Sequence, residues 1–320
     1  MAHRVKSAEP LRDGAAVAAG ARARVRVPAS TANLGPGFDS IGMALGVWDE
    51  AEAIVEGDSL VVEATGFGEG EVPLDESHLA YRAMVAAWQA LGLDAPQGLR
   101  LSYRGAVPHS RGMGSSASAA VTGVALGTAL AGLDLADDAV LRFVSDIASS
   151  IEGHPDNASA SVYGNVTVSW ADGGDAGDWR SAVLAPHPDL VPVLVVPQRR
   201  LSTATARAAL PTAIALAVAA RNSGRTALLA HALTADPTLL MPATQDYLHQ
   251  EARRPAYPES MALVDALRDA GIPAVISGAG PTVLALTSGQ GEEAVRAVAG
   301  DVEIISPGTT SRGVHAVSSS

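Results

Sequence analysis

Apolar and charged positions alternate over residues 22–28, where ARVRVP carries the pattern. A period of two predicts a half-buried strand, closed by Pro28. The segment after it, ASTANLGPGFDSIG, reads as a glycine-, proline- and asparagine-rich loop. Residues 45–56 and 59–64 return to strand patterning, with Gly57-Asp58 between them as hairpin chemistry. A helix is predicted over 78–92, ended by Gly92, and a strand over 99–105. After Gly114 the positions Ala117, Ala120, Val121, Val124 and Thr128 recur at helical spacing and predict one buried stripe. A helix over 138–151 runs into IEGHPDNASAS, and residues 162–170 read as a strand.

The polar run ADGGDAGD, residues 171–178, then breaks the pattern and marks the expected domain boundary. Beyond it PVLVVP is a buried strand, and helices are predicted over 202–209, 212–234, 258–270 and 291–299. AVISGAGPTVLAL reads as two short strands about a glycine turn, and a last strand lies near 313–318. Strands and helices in mixed order, largely antiparallel, predict the α+β class. The expected organisation is a loose extension over 1–21, one domain over 22–180 and a second over 181–320.

Composition narrows the function. A net charge of −12 disfavours nucleic acid as a partner. The absence of cysteine removes disulfides, thiolate nucleophiles and Cys-ligated zinc, and suits a reducing cytoplasm. No apolar run is long enough to span a membrane, and the N-terminus lacks the apolar region of a signal peptide. Lys6 is the only lysine and lies in the extension, so cationic work in the folded body falls to arginine, histidine or a metal. That disfavours Walker-type NTPases, protein-kinase-like enzymes and pyridoxal-phosphate enzymes, which need a lysine in the site.

The candidate chemistry begins with VPHSRGMGSSASAA, residues 107–120. Gly112 and Gly114 let backbone approach a ligand, and the helix that follows offers unpaired N–H groups to phosphate. Ser115 and Ser116 add hydroxyls for phosphate or Mg²⁺; an ordinary serine cap explains the same residues equally well. Gly112, Gly114 and Ala117, with Asp134, also fit a dinucleotide fingerprint, but the acid follows a helix where that motif requires a strand. In IEGHPDN, Glu152 at a helix C-terminus opposes the helix dipole, a placement that makes more sense facing a cation. His154 alone suits a hydrogen-bonded structural role, and Asp156-Asn157 a turn. In TANLGPGFD, Asn33 and Asp39 suit either turn chemistry or an ammonium site. Arg207 in STATARAALP and Arg225 on the long helix are solvated by default; near one pocket they would clamp a carboxylate. SGAGPTV is a second glycine turn.

Taken in order, these stretches resemble the GHMP family of small-molecule kinases over about residues 22–290. PASTANLGPGFDSIG resembles its first motif, PHSRGMGSSASA its ATP-binding second and SGAGPTVLAL its third. PASTANLGPGFD, HPDN and STATARAALP further resemble the homoserine kinase branch. The resemblance implies a ribosomal-S5-like N-terminal domain and a ferredoxin-like C-terminal one, with the active site between them. It implies ATP and Mg²⁺, phosphorylation of the L-homoserine hydroxyl on the route to threonine, and a cytoplasmic homodimer. Residue by residue it implies Mg²⁺ at Ser116 and Glu152 and adenine contact at Ser77 and His78. The implied phosphate loop comprises Pro108, His109, Ser110, Arg111, Gly112, Met113, Gly114, Ser115, Ser116 and Ala117. The implied homoserine contacts are Asn33, Asp39, His154, Arg207, Arg225 and Gly280. Asn157 falls where mevalonate-type relatives carry an acid, and a carboxamide takes up no proton near neutral pH. Direct transfer without a side-chain base is therefore expected, with Asn157, Glu152 and Ser116 as the catalytic set. Two departures are Met113 and Ser118, where leucine and alanine are common. The competing readings are a sister kinase acting on an isoprenoid precursor or sugar, and a non-catalytic amino-acid or nucleotide sensor.

Overall fold

The computed structural model describes residues 17–172, 178–199, 201, 203–289 and 291–317. The expected N-terminal extension lies outside these up to residue 16. Strand β1 (Arg22–Asn33) runs on past Pro28, and its antiparallel partner β2 (Gly37–Ile54) begins inside the predicted loop. The register shifts between Pro28 and Ala29, which is how a strand accommodates a residue without an N–H. The first motif is thus two strands and a tight turn at residues 34–36.

Next come β3 (Leu60–Gly66), α1 (Leu79–Ala90) and β4 (Leu99–Gly105). The expected hairpin of residues 45–56 with 59–64 does not form. β4 takes the place beside β2, and β3 lies outside it, parallel to β4. Parallel strands need a crossover, which α1 supplies. Helices α2 (Ser115–Leu130), α3 (Asp138–Glu152) and α4 (Asp156–Tyr163) follow. α2 is buried almost all round rather than along one stripe, between α1, α3 and the sheet. α4 extends into the strand predicted from residue 162, and its small residues pack on β1 and β2 until Gly164 ends it.

β5 (Val166–Ala171) then pairs with β2 and with β6 (Trp179–Leu184). Residues 173–177 of the expected 171–178 break lie outside the described residues; Ala171 closes β5 and Trp179 opens its partner β6, so a division at residue 180 cuts β6. We propose the domain boundary between Leu184 and Leu190, where the chain passes from one sheet to the other.

The second lobe contains β7 (Leu190–Val196), α5 (Thr203–Ala208), α6 (Leu216–Thr234), α7 (Leu240–Ala243) and α8 (Gln250–Arg253). It continues through α9 (Pro258–Asp269), β8 (Ala274–Ile276), β9 (Val283–Ser288), α10 (Gly291–Ala299) and β10 (Glu303–Ile305). Its sheet is antiparallel in the order β10-β7-β9-β8, and α9 and α10 pack on it. The chain finally returns to the first lobe, where β11 (His315–Ala316) pairs with β1. The observed class is α+β, as expected.

One apolar cluster fills the space between β1, β4 and helices α1–α3, and another lies under α9 and α10. A third joins the lobes: Leu34, Ile41, Met43 and Met113 pack with Leu194, Leu229, Val275 and Leu284. The lobes therefore share a core where they meet. Among the described residues no helix is long and apolar enough to cross a membrane.

Candidate active site

Three short stretches meet where the lobes join, and small polar side chains tie them together. Ser277 donates to the Gly112 carbonyl at 2.5 Å and therefore accepts from Thr31 at 2.7 Å. Asn33 Nδ2 donates to the Gly278 carbonyl at 3.0 Å. Ser30 donates to Asn157 Oδ1 at 3.1 Å and accepts from Ser161 at 3.2 Å. Each bond crosses between sequence-distant segments, so none is visible in local patterning.

The Gly-rich arc opens α2 as expected. Gly114 caps the helix at φ 70° and Gly112 lies at 79°, left-handed conformations that suit glycine. A Cβ on Gly112 would strike the Ser277 carbonyl, and one on Gly114 the Ser30 hydroxyl. No side chain caps α2, so the serine cap does not form, and the helix opens at Gly114, Ser115 and Ser116, which line the cavity. His109, Ser110, Gly112, Gly114, Ser115 and Ser116 line the cavities here. Pro108 and Arg111 do not line them, and Met113 and Ala117 are core residues. Ser118 has a definite role: it donates to buried Asp49 at 2.7 Å. Asp49 also accepts from Tyr103 and from the Ala106 and Val107 N–H groups, bracing the entry to the arc.

Two cavities adjoin along this arc and share Ser110, Ser115 and Ser116. The second is lined by Ser77, His78, Phe67, Tyr103 and His109, an aromatic and partly apolar cavity suited to a nucleobase. The first holds the charged groups. Ser116 donates to Glu152 Oε1 at 2.7 Å, and Glu152 closes α3 just before Gly153 turns the chain. Burial pushes the Glu152 carboxyl above the usual range, partly offset by the Ser116 hydroxyl. His154 Nδ1 lies 2.7 Å from Asp156 Oδ1. Burial works against a charged His154, but the Asp156 bond and charge outweigh it and raise its pKa.

At the far end Arg207 donates to both oxygens of Asp39, at 3.0 and 2.7 Å. Asp39 adopts φ 53°, and its N–H donates to Asn33 Oδ1 at 2.9 Å. Asn33, which lines the cavity, bonds backbone at both ends of its amide and so is held in place there. Gly280 lines the same cavity.

The expected partner Arg225 is not among its lining residues; Arg253 is. Arg253 is only 2% exposed. Its Nε donates to the Ala206 carbonyl at 3.1 Å and it bonds His249 at 3.3 Å. Among the described residues no carboxylate pairs with it, and burial lowers its pKa. A buried guanidinium with no carboxylate in direct contact, facing a cavity, suits an anion. Sequence reasoning also missed Asp156, whose neighbour His154 was the available signal. For Arg253 the signal was weak: the lysine-free body makes each arginine a candidate, and no more.

Asp39, His154 and Asp156 offer ligand atoms within 4.8 Å of one another, but Arg207 already neutralises Asp39 there. The Ser116–Glu152 oxygens form the better seat for a hard cation, because among the described residues no arginine pairs with Glu152.

Comparison with known proteins shows the family. The model for the GHMP kinases N-terminal domain matches residues 78–165, and that for the GHMP kinases C-terminal domain matches residues 222–303. A homoserine kinase of Streptomyces coelicolor is 47% identical over 282 residues, covering 88% of this chain and 89% of the relative. One from Streptomyces avermitilis is 46% identical over 283 residues, 88% and 90% of the two chains. The crystal structure of homoserine kinase from Cytophaga hutchinsonii superposes with a TM-score of 0.79 at 25% identity, covering 93% of this chain and 98% of that one. The chain belongs to the GHMP kinase family, alongside these homoserine kinases.

Proposed function

We propose that this chain transfers the γ-phosphoryl group of ATP to the hydroxyl of L-homoserine, a cytoplasmic step of threonine biosynthesis. The observation that carries the reading is a pocket that ends in both signs of charge beside a phosphate-binding helix terminus. Asp39 suits an ammonium, and Arg207 with Arg253, which no carboxylate touches directly, suits a carboxylate. Homoserine is a zwitterion of this kind, and the names of the relatives support the choice.

The nucleobase occupies the slot of Ser77, His78 and His109, and the arc from Gly112 to Ser116 takes the phosphates. Ser116 and Glu152 would hold Mg²⁺; their paired oxygens and the raised Glu152 carboxyl fit a hard cation. Such an ion neutralises phosphate charge in the transition state. The protein's own contribution is alignment: Asp39 and the arginines fix the substrate's charged end, leaving its hydroxyl toward the phosphates. Asn157 Oδ1 is engaged by Ser30 and takes no proton, so no base is assigned there.

One observation favours a second reading of the proton transfer, the His154–Asp156 pair facing the same cavity. His154→Gln separates them. Without a base, kcat stays within about tenfold; loss beyond about 100-fold with KM unmoved makes His154 the base. The substrate assignment is tested with homoserine, 3-aminopropan-1-ol and 4-hydroxybutyrate in a coupled ADP-release assay. Homoserine is predicted to turn over far faster than either singly charged analogue. Mevalonate or galactose as the better substrate would support a sister kinase, and ATP binding without turnover a sensor.

A further inference from the structure

Phe38 precedes Asp39 near the start of β2, and its half-buried ring is shared by three groups. The Arg253 guanidinium carbon stands 5.3 Å from the ring centroid and that of Arg207 stands 5.6 Å from it. The His249 ring, which bonds Arg253, lies 5.1 Å away. Two guanidiniums brought to one pocket repel each other, and an aliphatic spacer would do nothing to offset that. An aromatic face attracts each cation through its quadrupole, most strongly where water is excluded.

Arg207 makes the dependence sharper. Among the described residues its polar partner is Asp39. When a substrate ammonium draws on Asp39, the Phe38 ring still holds the guanidinium in place. We propose that Phe38 is a positioning residue that sets Arg207 and Arg253 for the substrate carboxylate, and so governs affinity for the phosphoryl acceptor but not for the nucleotide. This rests on the functional reading above, in which the two arginines bind the homoserine carboxylate.

The test replaces Phe38 in the full chain by mono-, di- and trifluorophenylalanine, which keep the ring's shape while weakening its quadrupole, and adds Phe38→Leu. KM for homoserine, KM for ATP and kcat are measured for each, with a melting curve. Homoserine KM is expected to rise with each fluorine, reaching about tenfold, while ATP KM stays level. A flat homoserine KM across the series overturns the inference, as does a parallel rise in ATP KM. If the unmodified enzyme turns homoserine over and the series is flat, Phe38 alone loses its role. If it does not phosphorylate homoserine at all, the functional reading falls and the inference with it.

Discussion

Replacing Asp39 by asparagine removes one charge and little else. Asp39 occupies the left-handed region at φ 53°, which asparagine tolerates, and the bond from its N–H to Asn33 survives. The side chains of Arg207 and Asp39 are 38% and 33% exposed, so losing their pairing costs about 0–1 kcal/mol of stability. A substrate ammonium in the pocket loses more. One charge-assisted hydrogen bond contributes about 1.5–3 kcal/mol, which corresponds to a rise of about 10- to 150-fold in KM. The released Arg207 stays available to a carboxylate, so binding of 4-hydroxybutyrate is predicted not to weaken. The assay is steady-state ADP release against homoserine, ATP and 4-hydroxybutyrate, with urea unfolding to check stability. An unchanged homoserine KM, or a parallel loss for 4-hydroxybutyrate, would refute the ammonium assignment.

Arg253→Met keeps an apolar stem in the buried slot and is predicted to raise homoserine KM by about 100-fold, whereas Arg225→Ala, outside the pocket, leaves it unchanged in the same assay. Gly114→Ala forces a Cβ onto the Ser30 hydroxyl at a left-handed position; urea unfolding should show a loss of about 1–2 kcal/mol, and ATP KM should rise. Glu152→Gln is predicted to raise the Mg²⁺ concentration at half-maximal rate by at least about tenfold, read from rates across a metal titration. A pH effect is expected at Asp146 on α3, whose carboxyl is raised chiefly by burial and also by Asp178. Its folded form holds the proton more tightly than the unfolded chain, so its contribution is favourable at acid pH and is lost as pH rises through the raised value. Asp146→Asn still offers an acceptor to the Trp179 N–H at 2.9 Å; its Tm should exceed the parent's at pH 7 and lose that advantage near about pH 4.

The parts of the site written in local chemistry were legible in the sequence. Gly112 and Gly114 before a helix, and Glu152 against a helix dipole, are recognisable because the backbone itself demands an explanation there. Arg253 was not legible. It stands beside Arg254, which is only half-buried and paired with Glu251 and Asp265, and only the tertiary fold buries one and leaves the other in contact with solvent. The same holds for the strands. Patterning located β3 and β4, but their parallel pairing follows from where α1 returns the chain. The polar run at 171–178 looked like a linker because a strand-pair connection and a linker share one composition; the pairing of β5 with β6 distinguishes them. Asp49 was missed because nothing local shows that a strand carboxylate will gather four donors from Tyr103, Ser118 and the phosphate-loop entry.

The central claim, that the cavity phosphorylates an amino-acid zwitterion at its hydroxyl, is tested most directly by product analysis. The purified chain is incubated with ATP, Mg²⁺ and L-homoserine, and the mixture is read by ³¹P NMR and mass spectrometry. The account predicts a phosphomonoester on the homoserine side-chain oxygen, formed in step with ADP. Release of ADP with free phosphate alone, or a phosphorylated product only when mevalonate or a sugar replaces homoserine, would contradict it.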